Sequence, residues 1–386
     1  MRFRPVRIKP GPGIAIRSQG DAPLDIVVLS HLRWDFVYQR PQHLMSRAAR
    51  DHRVLFVEEP IEGDAFDVDR RLVDGAITVV QPIVPARTDS GIGEAYAAEL
   101  VRSLVDEWQR DELIVWHYSV LAEPLSRELP AAVTVFDCMD ELSAFRGAPP
   151  QLVERERVLL DRADLVFTGG HSLWEAKRRL HPRVHAFPSS VDLAHFGRAR
   201  GEQPEPAVLS GIGRPRLAYA GVIDERLDLP LIAKLARADV GEVVLIGPVA
   251  KIDEADVPAG PRIHRLGMRS YDELPALFAH MDVGLMPFAL NEATRFISPT
   301  KTPEYLAAGL SVVSTPITDV VRAYGDLDSV YIASGSDAFI TACSEALARP
   351  RDTRRADERL AGMSWDATWS EMERLISSLL ETSEAA

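Results

Sequence analysis

The stretch Asn291–Thr315, NEATRFISPTKTPEYLAAGLSVVST, holds the residue types that binding a phosphorylated ligand requires. Thr302 is expected to be a helix N-cap, with Pro303 at the first helical position and Gly309 ending the short helix before a strand at Val312–Ser314. Unpaired N–H groups and the positive end of the helix dipole make such a point an anion site, and Lys301 adds a full charge beside it. A diphosphate suits that chemistry. Ser298 and Thr300, on the same polar stretch, belong to this binding set. Glu304 either complements the helix dipole or accepts hydrogen bonds from ribose hydroxyls through its two oxygens.

Two further stretches support the same ligand. LAYAGVIDERLD (217–228) reads as an apolar strand, then Gly221, then a charged run containing Arg226; VVLIGP (243–248) places Gly247 after another strand. Glycine allows close backbone approach there, and Gly221, Gly247, Arg226 and Lys301 are expected on one rim of one sheet. Arg226 is either an anion ligand or a solvated surface charge.

On the opposite side, the loop SHLRWDFVYQRPQ (30–42) gathers His31, Arg33, Trp34, Tyr38, Arg40 and Gln42, with Pro41 suited to a first helical turn. An aromatic platform among hydrogen-bond donors suits a sugar or a diphosphate head group. The plainer alternative is that Trp34 and Tyr38 pack and the arginines pair with acids. The run Asp137-Cys138-Met139-Asp140-Glu141 follows a strand. Asp140 or Glu141 can take a proton from a reacting hydroxyl, a phosphate oxygen of the ligand can do so instead, or the acids cap the next helix. His117 reads better as a core-edge histidine than as a base.

These groups need a scaffold that brings strand ends together, and the chain alternates short β-branched runs with helical stretches, the pattern of a doubly wound parallel sheet. Seven strands are expected in the first half: Asp25–Leu29, Arg53–Val57, Ile77–Val80, Leu113–Trp116, Val133–Phe136, Leu165–Phe167 and Val184–Phe187. RARGEQPEPAVLSGIGRP (198–215) is rich in Gly, Pro and charge, and marks a linker. Six more follow at Leu217–Ala220, Val243–Ile246, Ile263–Leu266, Val283–Met286, Val312–Ser314 and Val330–Ile332. Ser364–Leu380 carries Trp365, Trp369, Met372, Ile376 and Leu379 at helical spacing. The expected organisation is a leader at 1–22, a domain at 23–200, a second at 201–363 and a terminal helix and tail at 364–386. Ligands of two such sheets bind outside the carboxyl ends of the strands, in the cleft between domains.

Composition narrows the classes. A length of 386 residues is about two domains, and a formal net charge of −13 argues against a nucleic-acid partner. Two cysteines far apart offer neither a disulfide framework nor a zinc site, so the cytoplasm is the expected compartment. The first 22 residues carry five basic side chains against one acid and no long apolar run. They are either a mobile leader or a foothold on anionic lipid at the inner membrane face.

Six segments together resemble the nucleotide-sugar-dependent glycosyltransferases of GT-B fold, in the group-1-like, family-4-like branch: residues 30–47, 135–145, 187–196, 217–229, 266–288 and 294–309. Within that branch the chain is most similar to the teichuronic-acid-type (TuaH-type) transferases. The resemblance covers roughly residues 24–380 and implies two Rossmann-like domains. The second holds a UDP- or GDP-sugar, the first a glycan or lipid-linked acceptor, and the last helix crosses back. It assigns Glu304 to the donor ribose, Lys301 and Arg226 to the diphosphate, and Met268 and Arg269 to the nucleobase. FPSSVD (187–192) stands where the family carries P-N-G-V-D. The family's second glutamate, eight positions before the ribose glutamate, is Phe296 here, and Glu292 is the nearest upstream acid to face the donor sugar. No metal or resident cofactor is implied. Two other readings are a sugar-binding module without chemistry and a nucleotide-sugar epimerase of the same fold.

Overall fold

The computed structural model describes residues 24–73, 75–349 and 351–384; the leader at 1–22 lies outside them. Two sheets form the frame. The first contains β1 (Asp25–Ser30), β2 (Arg53–Glu58), β3 (Ile61–Gly63), β4 (Asp67–Val73), β5 (Ile77–Pro85), β6 (Leu113–His117), β7 (Val133–Cys138), β8 (Leu165–Thr168) and β9 (Val184–Ala186). Its order is β3-β5-β2-β1-β6-β7-β8-β9, all parallel, with β4 added antiparallel on β5. β3 and β4 are additions to the seven strands expected. β4 alternates half-buried and exposed residues along DVDRRLV, so its strand character comes from its pairing with β5 rather than from an apolar run.

The second sheet has the six expected strands: β10 (Arg216–Ala220), β11 (Glu242–Ile246), β12 (Ile263–Gly267), β13 (Val283–Met286), β14 (Ser311–Ser314) and β15 (Val330–Ile332). Their order is β12-β11-β10-β13-β14-β15, all parallel. Central strands such as DIVVLS and LIVWH are buried at every position, because helices cover both faces of a parallel sheet. In each sheet the order reverses beside the first strand, at β1/β6 and at β10/β13. Chain connections diverge there and leave a crevice at the carboxyl ends.

The terminal helix Trp365–Glu384 belongs in packing terms to the first sheet. Trp365, Trp369, Met372 and Ile376 are buried in one apolar cluster with Ile26, Val28, Leu44 and Trp116, and Trp365 stacks on His43 with ring centroids 4.6 Å apart. The crossing is tied by Ser190 Oγ and Thr368 Oγ1 at 2.7 Å and by Val191 N–H donating to the Met363 carbonyl at 3.1 Å. Nearby, Asp319 from the second half accepts from Ser172 N–H at 3.0 Å, and Ser189 Oγ donates to the Ser298 carbonyl at 3.0 Å. These contacts hold the two strand-end edges face to face.

Candidate functional site

A cleft of about 250 Å³ lies between the carboxyl edges of the sheets. β1 and β7 supply its first wall through His31 and Asp140. The exits of β10, β11 and β13 supply the second through Gly221, Arg226, Lys251, Ser298, Thr300 and Lys301. Residues separated by as many as 270 positions thus meet because parallel strands release their loops on one side.

The second wall is cationic. Lys301 Nζ lies 2.5 Å from Glu304 Oε2; Glu304 is only 4% exposed, and burial pushes its carboxyl up against the opposing pull of Lys301. Arg226 is held by Asp224 through Nε at 3.0 and 3.1 Å and Nη2 at 2.7 Å. Burial disfavours the Arg226 charge, but the Asp224 hydrogen bonds outweigh it and hold the guanidinium above its ordinary pKa. Phe145, from the first half, lies under both Arg226 Cζ at 5.8 Å and Lys251 Nζ at 5.0 Å. Lys251 has no carboxylate partner among the described residues. Neither Lys251 nor Phe145 was among the sequence candidates. The one available signal for Lys251 was its place on the exit of β11, just beyond Gly247.

The first wall carries acceptors. His31 Nδ1 lies 3.1 Å from the Tyr118 carbonyl, which can only accept, so Nδ1 bears the proton and Nε2 is the basic nitrogen. Burial lowers the His31 pKa, with the Asp140 charge working partly against it, so the ring is neutral at pH 7. The Asp140 carboxylate has no hydrogen-bond partner among the described residues and lines the cleft. Glu141 is engaged elsewhere: Lys177 Nζ holds it at 2.7 Å and Glu156 at 2.6 Å. His117 is fully buried beside Ser126 Oγ at 3.0 Å, and burial drops its pKa to about 4.

Several sequence candidates are placed otherwise. Arg33 bonds Glu58 Oε2 at 3.4 Å and the Glu59 carbonyl and, unlike Arg226 and Lys301, does not line the cleft. Trp34 is buried edge-on against Phe56 with centroids 5.1 Å apart. Gln42 closes the turn before its helix, donating to the Trp34 carbonyl at 2.8 Å and accepting from Gln39 N–H at 3.1 Å. Arg40 reaches the cleft wall but is 4% exposed and forms a two-pronged pair with Asp137. Gly247 packs under the Gly221 carbonyl, where a Cβ would overlap that oxygen, and does not line the cleft. Met268 and Arg269 lie past the edge strand β12, the first half-exposed and the second bonded to the Leu266 carbonyl at 2.7 Å. Glu292 stands in solvent 3.6 Å from Arg295. The helix runs Lys301–Ala307 with Thr300, not Thr302, at its N-cap position; Thr302 lies inside it, fully buried, with an unpaired hydroxyl. Gly309 does end the helix, at φ +81°.

No family model matches the chain. Among solved structures, the sucrose-phosphate synthase of Thermosynechococcus elongatus superposes with a TM-score of 0.72 at 15% identity, over 93% of this chain and 99% of that one. The fold is GT-B. The α,α-trehalose-phosphate synthase (UDP-forming) of Burkholderia vietnamiensis gives 0.66 at 16% identity over 92% and 99% of the two chains. HepE of Anabaena, in complex with UDP and glucose, gives 0.60 at 15% over 92% and 99%. In sequence, the chain is 24% identical over 260 residues to the Bacillus subtilis protein named teichuronic acid biosynthesis glycosyltransferase TuaH, over 63% of this chain. It spans 62% of the length of that relative. The GT-B fold that the sequence segments imply is met by the solved structures, and the TuaH-type resemblance by the sequence relative. Among the described residues, no helix is long and apolar enough to cross a membrane.

Proposed function

We propose that this GT-B chain is a glycosyltransferase that moves a sugar from a nucleoside diphosphate sugar, UDP- or GDP-linked, to a glycan or lipid-linked acceptor in cell-surface polysaccharide synthesis. One observation carries the reading: Lys301, Arg226 and Lys251, from three separate strand exits, converge on one wall of a cleft whose other wall presents Asp140 and the basic nitrogen of His31. Leaving-group departure builds negative charge on a diphosphate, and cations already held in place stabilise that charge with little reorganisation. Binding of UDP by HepE and the UDP-forming activity in the name of the Burkholderia enzyme support the donor class.

In this reading the three cations hold the diphosphate, Glu304 accepts from the ribose, and the β12 exit at Met268 and Arg269 borders the base. Asp140 or His31 receives the acceptor hydroxyl's proton. Neither a metal ion nor a resident cofactor takes part. The basic stretch at 1–22 is the candidate for contact with an anionic inner membrane face, testable by vesicle sedimentation of full-length and shortened chains.

Thermal-shift titration with UDP, GDP, UDP-glucose and GDP-mannose tests the donor site, since a ligand of the native state raises the midpoint with its occupancy. We expect one nucleotide series to bind and Lys301→Ala to lose at least tenfold in affinity. Undiminished binding by Lys301→Ala removes this site. Binding without release of nucleoside diphosphate favours a sugar-binding module, and an isomerised nucleotide sugar favours an epimerase.

A further inference from the structure

A second cavity, of about 470 Å³, opens in the first half between the carboxyl ends of β1, β2 and β5 and the helix Ser90–Trp108. Its floor is hydrocarbon, built by Leu29, Val57, Val84, Ala97, Leu121 and Leu125. Of the acids around it, Asp89 takes the first N–H groups of the helix, accepting from Gly91 N–H at 2.9 Å, and Glu94 pairs with Arg155, which leaves Glu59 and Glu62 facing Arg87, the one base lining it among the described residues. Glu58 also borders it but is turned inward, accepting from Trp34 N–H at 2.9 Å, Arg71 at 3.0 Å and Gln81 at 2.7 Å.

The cavity adjoins the cleft. Ser30 lines the cavity and its chain neighbour His31 lines the cleft, while Glu59 on the cavity wall feels the charge of Lys251 across the domain gap. Arg33 and Arg40, the cations this side was expected to offer a phosphate, are both committed to carboxylates of the chain. A phosphate here would meet hydrocarbon and the carboxylates of Glu59 and Glu62, with the helix N–H groups already taken by Asp89 and Arg87 its one counter-charge among the described residues, whereas an uncharged apolar group would lose only its contact with water.

We propose that this cavity binds the uncharged, apolar body of the acceptor, an alkyl, prenyl or aryl aglycone bearing a sugar, with the sugar hydroxyl directed to His31 and Asp140. The proposal rests on the glycosyltransferase reading for its reaction, but its ligand class is tested separately. Calorimetry with n-octyl β-D-glucoside and n-octyl phosphate, both below micelle-forming concentrations, compares heads on one chain length. We expect the glucoside to bind at least tenfold tighter. Gly93 lines the cavity on a helix, and a Cβ there would sit 3.4 Å from Val84 Cγ1, so Gly93→Leu fills the space. It should lower glucoside affinity at least tenfold while leaving affinity for the nucleoside diphosphate that binds, UDP or GDP, within twofold; Leu125→Trp fills the opposite side and should do the same. Lys301→Ala should show the converse pattern. Equal or tighter binding of octyl phosphate overturns the proposal, as does glucoside affinity unchanged in both filled variants. Absence of binding to both UDP and GDP in the wild type, with glucoside binding still abolished by Gly93→Leu, would sink the transferase reading and leave the cavity's ligand class standing.

Discussion

Asp137→Asn is the sharpest probe of how this cleft is built. Asp137 is fully buried at the end of β7 and grips Arg40 through Nε at 2.9 and 3.1 Å and Nη2 at 2.9 Å; Arg40 Nη1 donates to the Phe187 carbonyl at 2.8 Å. Burial pushes the Asp137 carboxyl up and Arg40 opposes it. Asparagine keeps the shape but removes the charge, which strands a guanidinium that is 4% exposed. Breaking a buried pair in this way costs about 3–5 kcal/mol, whereas replacing both partners with apolar residues is often neutral. Arg40→Leu/Asp137→Leu is therefore expected to be more stable than either single variant. All six tryptophans lie at positions 34, 108, 116, 174, 365 and 369, on the first-half elements or on the terminal helix packed against them. Intrinsic fluorescence in urea thus follows the first half even if the second unfolds apart. A loss below about 1 kcal/mol in Asp137→Asn would refute the reasoning and return Arg40 to the pool of ligand-binding residues.

Three other outcomes are expected. The His117 pKa falls from 6.5 to about 4 on folding, so the unfolded chain takes up a proton at a higher pH than the native one. Its contribution is complete above pH 6.5, declines as pH falls, and is lost by about pH 4, roughly 3 kcal/mol in all. His31 and His43 are lowered too and act in the same direction; urea midpoints should fall as pH is lowered from 7 to 4, and less steeply for His117→Gln. Gly247→Ala, at φ +144° and against the Gly221 carbonyl, should cost about 3 kcal/mol or more by thermal unfolding; a neutral result would mean the β10 and β11 exits are not locked together. Trp365→Ala should cost about 3–5 kcal/mol and expose the first-sheet core to limited proteolysis, with unchanged stability excluding a structural role for the returning helix.

Much of the architecture was legible because it is local. Alternating apolar runs located all six strands of the second sheet, and the spacing of Trp365, Trp369, Met372 and Ile376 located the terminal helix. β4 was not legible, since a charged antiparallel edge strand has little pattern of its own and exists through its ladder to β5. Residue type alone placed Lys301, Arg226, His31 and Asp140 among the candidates, and the strand-end rule brought them to one cleft.

Which polar side chains are spent on the chain itself was decided only in three dimensions. Arg33 and Arg40 look alike in the loop at 30–42, yet their partners Glu58 and Asp137 stand 25 and 97 residues away on β2 and β7. Glu141 and Asp140 are neighbours in sequence, but Lys177 captures only the first. Composition and periodicity report which groups the chain carries and which elements form. Whether a charge faces a ligand or a counter-ion depends on contacts between strands far apart in sequence, because a buried charge must find its partner wherever packing delivers one.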